Sequence, residues 1–197
     1  MSVVTQSLRN HGPADARRAV AADLLARGRG VPNDRFMAQM IASWSLGEGM
    51  LRGYMGLPAG QFRRMLRHAF PGARFSAAPG GPLPRPLERM EELDDLRSLL
   101  LAHRAKRDPA EFWIAELICA GCMGSDHLWQ DLGLWARADL TRMIEYNFPR
   151  LGRRNRKNMK WKKFLYKQLC EAHGVFICRS PTCETCVDYD YCFGPED

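Results

Sequence analysis

Apolar residues recur three and four apart along most of the chain, a spacing that predicts helices rather than strands. In DARRAVAADLLARG, Ala19, Val20, Leu24 and Leu25 keep this spacing behind a capping Asp15, and Gly28 to Gly30 end the run. A second helix is predicted over 35–51, with Phe36, Met40, Ile41 and Trp44 on one stripe and Gly47 and Gly49 loosening its end. A third, GQFRRMLRHAF, presents Phe62, Met65, Leu66 and Phe70 and is stopped by Pro71. LERMEELDDLRSLLLAHRA turns Leu87, Met90, Leu96, Leu99 and Leu100 inward, and Pro109 opens another helix in PAEFWIAELICAGCM. DHLWQDLG reads as a short helix ended by Gly133. LWARADLTRMIEYNF, stopped at Pro149, carries Trp135, Leu140, Met143, Ile144 and Phe148 at helical positions. A last helix is predicted over 159–172. Stepping by about 100° per residue, Phe164, Leu165, Gln168 and Leu169 share the side of Trp161, while Lys160, Lys163 and Lys167 lie opposite with Cys170 beside Lys163.

Few segments alternate with period two, and β-branched residues are sparse outside the tail. The expected fold is therefore an all-α domain carrying an irregular, cysteine-rich metal-binding loop at its carboxyl end. Its expected parts are an amino-terminal helical part (1–75), a Pro/Gly-rich loop (76–86), a second helical part of the same core (87–174) and the cysteine-rich tail (175–197). With 197 residues, 46% of them hydrophobic and 26% charged, the chain is long and apolar enough to bury a core. Disorder throughout and a repetitive rod are excluded. The most apolar stretch, Phe112 to Met123, is broken by Glu116 and falls short of the roughly 20 apolar residues that a membrane span needs. No apolar signal core precedes Arg9, so the expected location is the cytoplasm.

Charge changes this picture locally. The formal net charge is +7. From Arg150 to Lys167 the segment RLGRRNRKNMKWKKFLYK holds nine basic residues and no acidic one. Such a run permits an anionic partner without naming it. For any single lysine the plain alternative is a solvated face. No reader motif supports a nucleic acid.

All seven cysteines lie beyond position 118, and the array Cys178-x4-Cys183-x2-Cys186-x5-Cys192 crowds four of them into the tail. An odd count without a signal peptide favours a metal site over disulfides. Four thiolates on a loop with little apolar surface converge only when something holds them, and a metal centre does so. Zinc is satisfied by four sulfurs but usually takes paired CxxC units, of which this loop has one. An iron–sulfur cluster is larger, tolerates wider gaps, and fits the x4-then-x2 spacing. The spacing favours iron–sulfur and leaves zinc open. Lys160, Lys163 and Lys167 would then provide a cationic environment for an anionic cluster or an oxyanion.

A second set of soft ligands is Cys119, Cys122 and His127. A helix puts Cys119 and Cys122 on one face, and His127 follows at the next helix start, so sulfur and imidazole could meet. Buried cysteines are commonly small hydrophobes, and histidines at helix starts commonly hydrogen-bond to backbone. Cys170 is likewise either a core thiol or a spare ligand. No nucleophile–base pair, phosphate loop or paired catalytic carboxylates stand out, so a carrier is expected rather than an enzyme.

From Met159 to Asp197 the sequence MKWKKFLYKQLCEAHGVFICRSPTCETCVDYDYCFGPED closely resembles the carboxyl end of the NifQ family, whose hallmark is the C-x4-C-x2-C-x5-C array; HLWQDLGL, from His127 to Leu134, is similar to that family's central motif. The resemblance implies an iron–sulfur protein, with a 4Fe-4S or molybdenum–iron–sulfur cluster, that carries molybdenum for assembly of the iron–molybdenum cofactor of nitrogenase. It implies cluster ligands at Cys178, Cys183, Cys186 and Cys192, the NifEN scaffold and NifH as partners, and molybdate or a molybdenum–sulfur precursor as cargo. Cys170, Cys122 and His127 are candidates to complete the molybdenum coordination. Two other readings stay open: a zinc-stabilised interaction module with a basic docking helix, and an enzyme that builds sulfur onto molybdenum.

Overall fold

The computed structural model describes residues 12–75, 90–172, 189–194 and 196, and among these every regular element is a helix. The elements are α1 (Pro13–Ala26), α2 (Pro32–Ser45), α3 (Ala59–Ala69), α4 (Met90–Ala102), α5 (Ala110–Gly121), α6 (Leu128–Asp131), α7 (Arg137–Asn147), α8 (Pro149–Gly152), α9 (Trp161–Ala172) and α10 (Tyr189–Phe193). The expected loop over 76–86 lies outside the described residues. Among those described, no helix is long and apolar enough to cross a membrane.

The start of α1 differs from the expectation. Gly12 is the N-cap and Pro13 takes the first helical position, because the proline's fixed φ and missing N–H suit that place. Asp15 instead lies in the first turn, where its charge faces the positive end of the helix and meets Arg18 at 3.3 Å. Pro149 does more than stop α7, since it opens α8 in the same way.

Helix α2 sits at the centre. From Asn33 to Trp44 every residue but Arg35 is buried. The sequence shows one apolar stripe here; burial continues around the helix because α1, α3 and α7 all pack on it, and Ala38 and Ala42 admit close neighbours. A single apolar cluster runs from Val20 to Leu169, joining residues before and after the 76–86 segment.

Several polar groups inside this core are hydrogen-bonded, which offsets the cost of burying them. Asn33 and Asn147 exchange side-chain amide bonds of 2.9 and 2.8 Å between α2 and α7. The buried Glu111 carboxylate accepts from Arg104 Nε at 2.9 Å and from the backbone amides of Lys106, Arg107 and Asp108. Asp108 accepts from the Ala110 amide at 2.7 Å, from His68 Nε2 at 2.8 Å and from Arg29 at 3.2 Å. Burial pushes the Asp108 carboxyl up, but the Ala110 amide, His68 and Arg29 together outweigh it and hold the group below the usual carboxylate range.

That balance fixes a pH dependence. A carboxylate depressed by folding contributes stability that is fully present above its unfolded value, about 3.9, and is lost as pH falls through the folded value. In urea unfolding the parent protein should exceed Asp108→Asn in stability at neutral pH, and the gap should close under acid. A gap unchanged from neutral pH to about pH 3 would refute this.

Candidate metal centre

The tail is carried by α9, whose inward side was legible in the sequence. Trp161, Phe164, Leu165, Gln168 and Leu169 are buried, and Lys163 is exposed on the other side. The Trp161 indole donates to Thr141 Oγ1 of α7 at 3.1 Å and meets Phe164 edge-on. Before the helix, the Asn155 side chain brackets the backbone of Met159 with bonds of 2.8 and 2.9 Å, and Arg137 donates to the carbonyls of Asn158 and Met159. These bonds fix the direction in which α9 leaves the core.

Lys162 supplies an electrostatic tie. Its ammonium makes a very short contact with the buried Asp131 carboxylate and donates to the Gly124 carbonyl at 2.7 Å. Both partners come from the segment that includes HLWQDLGL, so that segment is a seat for α9. A Cβ on Gly124 would fall 2.2 Å from Asp131 Oδ1, so only glycine admits this contact. Gly133, at φ +73°, is equally constrained: its added Cβ would meet the Ser43 Cβ at 2.7 Å. Burial pushes the Asp131 carboxyl up, and Lys162 opposes that without cancelling it, leaving the group above its ordinary value.

Of the expected cluster ligands, Cys192 is described, while Cys178, Cys183 and Cys186 lie outside the described residues. Cys192 sits on α10, a correction to the expectation of an irregular tail through Asp197: five residues make barely more than one turn, too few to display a period. The turn is closed by a bond from the Gly194 amide to the Asp190 carbonyl, and Tyr189 stacks on Phe193 at 4.5 Å. Cys192 and Phe193 pack against the core. The Lys160 amide donates to the Cys192 carbonyl at 2.8 Å, so the start of α9 holds the end of the cysteine array.

The three lysines separate in role. The Lys160 ammonium lies 3.5 Å from the Asp190 carbonyl, and that of Lys163 lies 4.2 Å from the ring centre of Tyr191, so both face the residues around Cys192. Lys167 points elsewhere, towards Glu171 at 3.9 Å.

His127 is the N-cap residue of α6 and stands 4.0 Å from the Glu196 carboxylate, which also meets Arg137 at 3.2 Å. The tail just past Cys192 is thereby brought to the loop that bears His127. Cys122 caps the end of α5 and is buried, as is Cys119, whose thiol points to the Leu93 carbonyl at 3.9 Å. Cys170 is half-buried on α9. Among the described residues, no three His, Cys, Asp or Glu side chains gather as a metal site. The sequence reading missed Lys162, Asp131, Arg137 and Glu196. Each has a charge visible in the sequence, but their pairings span 31 positions for Lys162 and Asp131 and 59 for Arg137 and Glu196, and no local pattern links them.

The family model for NifQ matches residues 36–194. The chain is 38% identical over 195 residues to Protein NifQ of Azotobacter vinelandii, covering 94% of this chain and 99% of that one. It is 35% identical over 167 residues to the Protein NifQ homolog of Sinorhizobium fredii, covering 80% and 68% respectively. To Protein NifQ of Rhodobacter capsulatus it is 32% identical over 160 residues, covering 81% and 87%. No solved structure matches it. The family match takes in the whole cysteine array and the seat of α9, and the chain belongs to the NifQ family.

Proposed function

We propose that this protein is an iron–sulfur carrier that processes molybdenum and delivers it for assembly of the iron–molybdenum cofactor of nitrogenase, with NifEN and NifH as recipients. Family membership supports a role in nitrogen fixation. The finer reading rests chiefly on one observation: the family match from 36 to 194 includes Cys178, Cys183, Cys186 and Cys192 in full. The donor chemistry fits, because thiolates are the soft ligands that iron–sulfur clusters and molybdenum favour. Cys178, Cys183, Cys186 and Cys192 would hold the cluster, which supplies sulfur-rich coordination for the cargo. Cys192 is anchored by its own backbone bond to Lys160, and Lys160 and Lys163 put positive charge beside it, which suits an anionic cluster or an incoming molybdenum oxyanion. Cys170, Cys122 and His127 would complete the cargo's coordination.

The test is elemental analysis with electron paramagnetic resonance on protein purified without oxygen. Iron, acid-labile sulfide and bound molybdenum are expected, with visible absorption. A colourless protein holding one zinc would establish the interaction-module reading instead. Multiple turnover with a sulfur donor would replace the carrier by an enzyme.

A further inference from the structure

Between the turn that follows α8 and the edge of α9 lies a cleft of about 690 Å3. Its cationic wall is Arg150, Arg153, Arg154, Arg156, Lys157 and Lys167, against one carboxylate, Glu171, among the described lining residues. Glu171 is already engaged, accepting from Gln168 at 2.7 Å and facing Lys167. The guanidinium groups of Arg150, Arg153 and Arg156 make no ion pair or hydrogen bond with any described residue. Arg27, Arg97, Arg104 and Arg137 each meet a carboxylate, whereas among the described residues Arg63 and Arg64 on α3, like this trio, do not; what sets the trio apart is that it lines one cavity. Like charges gathered round one cavity repel each other, and an anionic occupant relieves that repulsion.

Three features say what kind of anion fits. The volume is that of a site for a sizeable ligand, and a single tetrahedral oxyanion would fill a small part of it. The floor is apolar, formed by Met159, Phe164 and Phe193, so the occupant carries an apolar group as well as charge. The wall is rich in arginine, whose forked donors match carboxylates, as they do phosphates, two bonds at a time. A path for single-stranded nucleic acid would instead combine a groove tracking the backbone with a series of stacking rings.

Position supplies the purpose. Glu171 closes α9 on one side of the segment that holds Cys178, Cys183 and Cys186, and Phe193 follows Cys192 on the other. Both line the cleft, so whatever docks there lies beside Phe193, the residue after Cys192, and beside the end of α9 from which the chain leads on to the rest of the array. We propose that this arginine cleft docks an acidic segment of a partner protein, with carboxylates on the guanidinium wall and an apolar side chain on the floor. The partner's purpose, exchange of cargo with the array to which Cys192 belongs, rests on the carrier reading; the docking itself does not require cargo.

The probe is a fluorescein-labelled poly-L-glutamate peptide, followed by anisotropy with the full chain. Binding is expected to weaken steeply with salt between about 50 and 200 mM. The double change Arg153→Glu/Arg156→Glu should weaken it on the order of tenfold, whereas the charge-matched Arg63→Glu/Arg64→Glu on α3, outside the cleft, should change it less than about twofold. Equal weakening by the two pairs would reduce the effect to net charge and overturn the proposal. So would stronger competition by a single-stranded oligonucleotide, which would make the site one for nucleic acid, or displacement of the peptide by millimolar molybdate or phosphate, which would make it a small-oxyanion site. Iron and molybdenum content separates the two readings: a chain that holds neither but still binds the peptide through Arg153 and Arg156 loses the carrier function and keeps the docking site.

Discussion

Alanine at any one of Cys178, Cys183, Cys186 or Cys192 is expected to leave anaerobically purified protein with on the order of a tenth or less of the parent's iron and acid-labile sulfide. A cluster held by four thiolates loses a covalent ligand in each case, and a sequence with few apolar residues between its cysteines has little else to preserve the geometry of the other three. Cys192 separates ligation from folding. Its backbone is bonded to the Lys160 amide, and Tyr189 stacks on Phe193 beside it, so Cys192→Ala should lose iron while unfolding at nearly the parent temperature once both are compared without metal. Cys170→Ala serves as the contrast: iron should stay at the parent level while molybdenum falls if that thiol completes the cargo's coordination. Parent levels of iron in any variant of the quartet would remove that cysteine from the cluster, and loss of zinc without iron would point to the structural-zinc alternative.

Replacing Lys162 by methionine is expected to cost about 3 kcal/mol at neutral pH, the scale for leaving one partner of a buried pair without its counter-charge. Methionine keeps most of the length and apolar stem, so the loss isolates the ammonium. Asp131 is 3% exposed in its side chain and cannot turn to water without breaking the seat of α9. The pH dependence has a definite sign. A carboxyl raised by folding takes up its proton in the folded state before the unfolded one, so its charge destabilises the fold above that raised value and the penalty fades as pH falls. Asp131 is already raised by burial against the pull of Lys162. Without Lys162 it rises further, so the variant's deficit should shrink steadily as pH falls from neutral into the acid range. Urea unfolding across this range measures it; a deficit that is small at neutral pH, or constant throughout, would show that Lys162 does not stabilise the seat of α9. Because α9 directs the tail, the same variant should also retain less iron.

What the sequence determined alone is the helical character of the chain and the inward side of α9, since a 3.6-residue period and a proline or glycine boundary are local signals. Trp161, Phe164, Leu165, Gln168 and Leu169 were legible for that reason, as was the cysteine spacing that carries the family resemblance. The central placement of α2 was not, because nothing within fourteen residues says how many neighbours a helix will acquire. Nor was α10, where one turn is too short for periodicity and its support comes from Lys160, some thirty positions away. HLWQDLGL gained a role that the letters do not show. Read along the chain it offers His127 as a ligand; in three dimensions its aspartate also anchors Lys162 and its glycine fits against Ser43. Those contacts depend on distance in space, which a one-dimensional pattern does not contain. The same holds for the arginine cleft: a basic run is visible in the letters, but that its guanidiniums line one cavity beside Phe193 is decided by how the turn after α8 packs against α9.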